Sequence, residues 1–214
     1  MSQLASYTLT LPPASECKYQ PKPGEQIENL TSDIAIAKAV EAHQVGEIEK
    51  GNYYLCEAAN MKSTLGLLLY GISLRNGWGC TPNLKLGFEC LIAAAREAMS
   101  DILSKKNAED SVAEHQLALS LFELGVCYMQ GWGIAKNKKW GAYYYEIAAD
   151  LGEPDAQNEI AHCYLNGKGV KKNKYKAAYF FQLASEQGNG YMGNAWIYKD
   201  KYLNQEPPQL NTSI

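Results

Sequence analysis

Apolar positions in the C-terminal half of the chain recur with helical spacing. Across residues 175–186, Ala178, Phe181 and Ala184 share one face. Residues 154–165 read as a preceding helix, with Pro154 in the first turn, where a missing N–H costs no hydrogen bond. Between the two stand Gly167 and Gly169, which permit the positive φ needed to end one helix and reverse the chain. Gly188 then closes the second helix. The predicted unit is helix A, a Gly-x-Gly turn and helix B.

That unit is repeated. Residues 124–152 and 160–188 align without gaps at an offset of 36 residues. Cys127 pairs with Cys163, Tyr128 with Tyr164, Gly131 and Gly133 with Gly167 and Gly169, Asn137 with Asn173, and Ala148 with Ala184. An earlier copy, residues 70–95, lies 54 residues upstream and places Gly77-Trp78-Gly79 on Gly131-Trp132-Gly133. Full repeats are therefore expected at 64–98, 117–152 and 153–188, with partial units at 33–62 and 189–203. The surplus residues 99–116 are polar and read as a surface insert made of a helical extension and a loop. Atypical end units are usual in solenoids, because their outer faces meet water. Residues 1–30, with Pro12, Pro13, Pro21 and Pro23, and residues 204–214, with Pro207 and Pro208, read as flexible tails. Either could be bound by another protein or fold back onto the solenoid.

Composition fits this picture. The 18 glycines and 15 tyrosines are unusual for an ordinary soluble chain of 214 residues. The repeat assigns them to turns and to packing between helices. A net charge of −3 argues against a general nucleic-acid binder. The most apolar stretch, residues 65–74, is broken by Gly66 and Gly71 and falls short of the ~20 residues a membrane span needs. No basic residue precedes Lys18, so the N-terminus is a poor secretory or transit signal, and a cytoplasmic protein is expected. Six cysteines without a secretory signal read as reduced thiols, mostly buried.

The pattern LG-x-x-Y-x-x-G-x-G-V-x-x-(D/N)-x-x-K-A-x-x-(Y/F)-(Y/F)-x-x-A-A-x-x-G resembles the Sel1-like repeat family, helical hairpins related to tetratricopeptide repeats. Residues 124–152 and 160–188 fit it closely. Residues 70–95 depart at Cys80, where valine or isoleucine is usual, and at Leu84. The 36-residue period, longer than the 34 of a tetratricopeptide unit, favours this family. The resemblance implies an all-α, right-handed α-α superhelix acting as a non-catalytic adaptor for a protein or peptide, without a cofactor. A narrower resemblance joins it to the repeat regions of fungal members of the mitosis-inhibitor type, which implies a regulator of a signalling, cell-cycle or cell-wall enzyme.

Candidate binding residues follow from the hairpin geometry. Trp78 and Trp132 occupy the middle of the Gly-x-Gly turn, where Lys168 stands in the third copy. Each ring is either a lid on the adjoining helix or an exposed partner anchor, a role in which tryptophan is enriched. Lys136, Lys138 and Lys139 stack beside Lys168, Lys171, Lys172, Lys174 and Lys176. The result is a solvated edge or a docking strip for an acidic partner. Helix A should line the inner face, which places Arg75, Glu123, Gln130, Glu159 and Asn166 there.

A catalytic set is not apparent. His43, His115 and His162 fall in different units, and no Cys-x-x-Cys or His-x-x-x-His spacing occurs. His162 and Cys163 diverge by ~100° on a helix. Neither zinc nor another cofactor is expected, since a zinc site needs about four converging ligands. A thiol-dependent redox or assembly factor is the alternative. It requires a thiolate with a pKa well below ~8.5.

Overall fold

A computed structural model describes residues 9–22, 29–104, 111–191 and 193–203. Their regular structure is helical: α1 (Ser32–Gln44), α2 (Ile48–Asn60), α3 (Thr64–Asn76), α4 (Leu84–Ser104), α5 (Ser111–Gln130), α6 (Lys138–Asp150), α7 (Pro154–Asn166), α8 (Lys174–Glu186) and α9 (Asp200–Leu203). Single 3₁₀ turns form at Ala14–Glu16 and Ala195–Tyr198. Every helix from α1 to α8 packs on the next, so the chain is an all-α solenoid of antiparallel hairpins. Among alternate helices, α1 also touches α3, and α3 touches α5. Helices A are thus the closer set, and they form the inner side of the stack.

The repeated asparagine has a local task. Asn137 Oδ1 accepts hydrogen bonds from the Lys139 and Trp140 amides, at 3.1 and 3.2 Å, and so caps α6. Asn173 does the same for α8, and Asn83 Oδ1 accepts from the Leu86 amide at 3.0 Å at the head of α4. Such caps satisfy amides that a helix start leaves without partners. The backbone N–H of each asparagine also donates back to helix A, to the carbonyls of Leu74, Tyr128 and Tyr164. One residue therefore fixes both the helix start and the width of the turn.

The two glycines of each turn differ in purpose. The first is the left-handed end of helix A, with φ of 74° at Gly77 and 72° at Gly167. The second lies against the start of the preceding helix B. A Cβ on Gly79, Gly133 or Gly169 would stand 2.3, 2.1 or 2.0 Å from the carbonyl oxygens of Ile48, Leu84 and Lys138. The second glycine is thus the contact between neighbouring repeats, a function beyond chain reversal. Within hairpins, Gly71 faces Gly87 and Gly125 faces Gly141 backbone to backbone, and Ala161 and Ala177 hold those places in the last unit.

The aromatic residues fill the remaining space. Tyr128 stacks on Tyr144 at 5.4 Å, and Tyr164 lies parallel to Phe180 at 6.2 Å. Helix α4 runs to Ser104 and α5 begins at Ser111, so the insert lengthens both helices on either side of residues 105–110, which lie outside the described set.

Of the two alternatives for the N-terminal tail, residues 9–22 take the second and fold back onto the solenoid. Ala14 is buried against the core, Asn60 Nδ2 donates to the Pro12 carbonyl at 3.3 Å, and Tyr19 meets Tyr53 edge-on. The Gln20 amide donates to the carbonyls of Ala14, Ser15 and Cys17 and ties the segment into a compact turn. Its prolines limit the conformational entropy lost when it docks. Residues 1–8, 23–28 and 204–214 of the two tails lie outside the described residues.

Candidate functional site

Helix A presents one row of side chains to the inner side at spacings of three and four. In α3 the row is Leu65, Leu69, Ile72 and Asn76. In α5 it is Leu119, Glu123, Val126 and Gln130, and in α7 it is Asp155, Glu159, His162 and Asn166. Nearly all are half-buried or exposed, whereas their helix neighbours Leu67, Leu68, Leu124 and Ile160 are fully buried. The inner face therefore grades from apolar at α3 to polar and acidic at α7.

At the apolar end a cavity of about 670 Å³ opens between α1 and α3, walled by Val40, His43, Leu69, Ile72, Trp78 and Glu123 among others. Val40 is 47% exposed and Trp78 52%. From Leu65 to Leu74 helix α3 is thus apolar on two faces. One face is spent on the stack and the other is left open. The run at 65–74 that falls short of a membrane span is this helix. Its residual hydrophobicity, read at spacings of three and four, is the sequence signal for the cavity.

Three of the sequence-derived residues come together at the floor of this region. Arg75 Nη1 of α3 donates to Glu123 Oε2 of α5, with both side chains largely buried. The Arg75 guanidinium also lies 5.2 Å from the ring centroid of Trp132, a cation–π contact. Trp132 is 36% exposed, so one of its faces is occupied internally. Gln130 and Asn166 are exposed at the ends of α5 and α7, and Glu159 is half-buried in the same inner row. Lys168, Lys171 and Lys172 are exposed along the turn edge. Lys176 does not belong to that edge strip. Its Nζ donates to Glu146 Oε1 at 3.1 Å and to the Tyr164 hydroxyl at 3.0 Å, and the Tyr164 hydroxyl donates to Glu146 at 2.5 Å. This triad joins α6, α7 and α8.

A second apolar cleft, about 600 Å³, lies where the extended ends of α4 and α5 meet α6, between Met99, Leu103, Leu117, Leu121, Tyr143 and Ile147. Sequence reading took the insert as polar surface and missed it. The spacing of Met99 and Leu103 was the available signal.

Most thiols are held protonated. Burial pushes Cys127 up to about 11 and Cys163 up to about 12, and it raises Cys80 and Cys90 as well. Cys56 moves the other way, lowered chiefly by a hydrogen bond from Cys17. Among the described residues, no group of three or more His, Cys, Asp or Glu is placed to hold a metal ion, and no helix is long and apolar enough to cross a membrane.

The Sel1 repeat family model matches residues 65–98, 118–153 and 154–189, the same three hairpins. The chain is a Sel1 repeat protein. Among curated relatives, the mitosis inhibitor nif1 of Schizosaccharomyces pombe is 28% identical over 181 residues, covering 77% of this chain. Protein DSF2 of Saccharomyces cerevisiae is 31% identical over 203 residues, covering 89%. The chain spans 27% of the length of each. A Sel1 repeat protein from Oxalobacter formigenes has a solved structure that is 25% identical with a TM-score of 0.49, covering 63% of this chain and 88% of its own. A protective antigen with an SLR fold from uropathogenic Escherichia coli is 17% identical with a TM-score of 0.34, covering 74% and 38%. Sel1 repeat proteins are generally protein-interaction scaffolds.

Proposed function

We propose that this Sel1 repeat protein is a non-catalytic, cytoplasmic scaffold that holds an apolar segment of a partner protein in the inner groove between α1 and α3. The observation that carries this reading is the set of half-exposed apolar side chains Val40, Leu69, Ile72 and Trp78 around a cavity of about 670 Å³. Apolar side chains left facing solvent at a concave site supply binding energy once covered, at about 25 cal/mol per Å². Arg75 and Glu123 form the polar floor, and Trp132, Gln130, Glu159 and Asn166 continue the surface toward a basic edge at Lys168, Lys171 and Lys172. A partner anchored at α1–α3 and running toward α7 meets acidic groups on the inner face, which favours basic residues beyond its apolar anchor.

By analogy with the mitosis inhibitor nif1, the held partner is an enzyme of signalling, the cell cycle or the cell wall, regulated by stoichiometric binding. A photo-crosslinking residue placed at Ile72, at Leu103 in the α4–α5–α6 cleft and at Tyr175 on α8 tests the surface directly. Capture of a specific protein from Ile72 supports the proposal. Capture from Leu103 or Tyr175 alone overturns it.

A further inference from the structure

The first full hairpin and the helix before it depart from the repeat frame at two positions each, and all four departures lie together. Where helix B of successive units carries Phe88, Ala142 and Ala178, the preceding helix α2 carries Asn52, buried at 1% exposure. Where helix A carries Leu124 and Ile160, α3 carries Tyr70. Cys80 replaces Ile134 and Val170, and Cys56 stands where Ile92, Glu146 and Gln182 occur. A buried polar group at a core position calls for an explanation in a way that an exposed apolar one does not.

These residues converge beneath the docked N-terminal segment. Asn52, Tyr70 and Cys80 line one wall of a cavity of about 700 Å³, and the stretch from Thr10 to Lys18, including Cys17, lines the other. Cys80 Sγ donates to the Ser73 carbonyl at 3.5 Å. Cys56 is fully buried, its thiol donating to the Pro12 carbonyl at 3.6 Å while Asn60 Nδ2 donates to its sulfur at 3.5 Å. The half-buried Cys17 and the hydroxyl of Tyr70 both face Cys56 as hydrogen-bond partners. One sulfur therefore has donors from three directions, and a second, more accessible sulfur is among them.

We propose that Cys17 and Cys56 are an oxidisable dithiol whose disulfide fixes the N-terminal segment to α2. The oxidant is a small disulfide such as oxidised glutathione. Cys17 holds the proton it shares with the Cys56 thiolate. It passes that proton to the Cys56 sulfur as it bonds to one sulfur of the reagent, whose S–S bond breaks and releases one thiolate that solvent protonates. Cys56 then attacks Cys17 Sγ as a thiolate, its charge held by the donors around it. The bond from Cys17 to glutathione breaks, and the departing thiolate takes up the proton that Cys56 gave. The pair loses two electrons and its shared proton, solvent supplies the second proton, and the reagent is reduced to two thiols. Cys17 lines this cavity with Asn52 and Cys80, which gives the reagent its access.

The full chain equilibrated through a series of reduced-to-oxidised glutathione ratios, trapped by alkylation and digested with trypsin, tests this assignment. Cys17 and Cys56 become protected together, as one cross-linked peptide pair lacking two hydrogens, while Cys90, Cys127 and Cys163 alkylate only after denaturation. Hydrogen exchange at residues 9–20 slows by about tenfold or more on oxidation, because local opening of the segment is suppressed. Cys17→Ser, a change at a half-buried position, keeps the helical signal and abolishes the cross-link; Cys80→Ser preserves it. A disulfide between Cys17 and Cys80, a glutathione adduct that persists on Cys17, or full alkylation of both thiols at the most oxidising ratio overturns the proposal. The readout does not depend on what occupies the inner groove.

Discussion

The first and last full hairpins share one frame and carry opposite inner faces. Both end helix A with a left-handed glycine, both press a second glycine on the preceding unit, and both cap helix B with asparagine. Yet Leu65, Leu69 and Ile72 of α3 become Asp155, Glu159 and His162 of α7, and Trp78 becomes Lys168. Positions buried between helices are held by sterics, because a Cβ or a missing cap there disrupts the stack. The inner row is held less tightly: its side chains are half-buried or exposed, with Glu123 in contact with Arg75 and His162 with Phe181. Its chemistry is therefore set by what binds, and the two ends of one groove offer different surfaces to one partner.

The frame half of this comparison gives the largest expected effect. Gly169→Ala places a Cβ 2.0 Å from the Lys138 carbonyl at a φ of 83°, and it should cost about 3 kcal/mol or more in urea unfolding. Gly152→Ala also has a positive φ, 94°, but meets nothing within 4 Å, so its cost should stay near 1 kcal/mol. Equal losses at the two sites would remove the distinction between turn glycines and contact glycines.

Breaking the inter-unit triad comes next. Lys176→Met leaves the buried Glu146 carboxylate without its cation and should destabilise by about 2 kcal/mol, visible as a lower thermal midpoint. The inner row should behave in the opposite sense. Trp78→Ala is expected to change stability by less than about 0.5 kcal/mol while lowering partner affinity by about 2 kcal/mol. Trp132→Ala should lower both, since it also removes the contact with Arg75.

The smallest effect concerns pH. Asp150 is exposed at the end of α6, yet partial desolvation there, with Glu146 adding to it, pushes its carboxyl up to about 6. The folded chain keeps this proton where the unfolded chain, with a carboxyl pKa near 4, has released it. The stability it contributes is complete below pH ~4 and is lost as pH rises through 6. Asp150→Asn should flatten that slope, a change of about 1 kcal/mol once solvent screening is discounted.

Much of this was legible in the sequence for a physical reason: the frame repeats. Glycine, asparagine and alanine recur at 36 residues because each hairpin solves the same packing problem, and repetition exposes the solution. The docking of residues 9–22 was legible only as one of two alternatives, because a single proline-containing segment has no second copy with which to be aligned. The cleft at Met99 and Leu103 was hidden likewise, by an insert present once. Lys176 looked like its neighbours on the basic edge. Only the fold shows that its position on α8 turns it inward onto Glu146, while Lys174 stays in water.

The central claim is that the apolar end of the inner groove binds the partner. Affinity capture from cells, comparing the wild-type chain with Leu69→Glu/Ile72→Glu and with Leu103→Glu in the α4–α5–α6 cleft as a control, tests it most directly, with thermal unfolding recorded for all three. The account predicts that the first variant loses the captured partner by about thirtyfold while remaining folded, and that the control retains most of it. Undiminished capture by the folded Leu69→Glu/Ile72→Glu chain would contradict it.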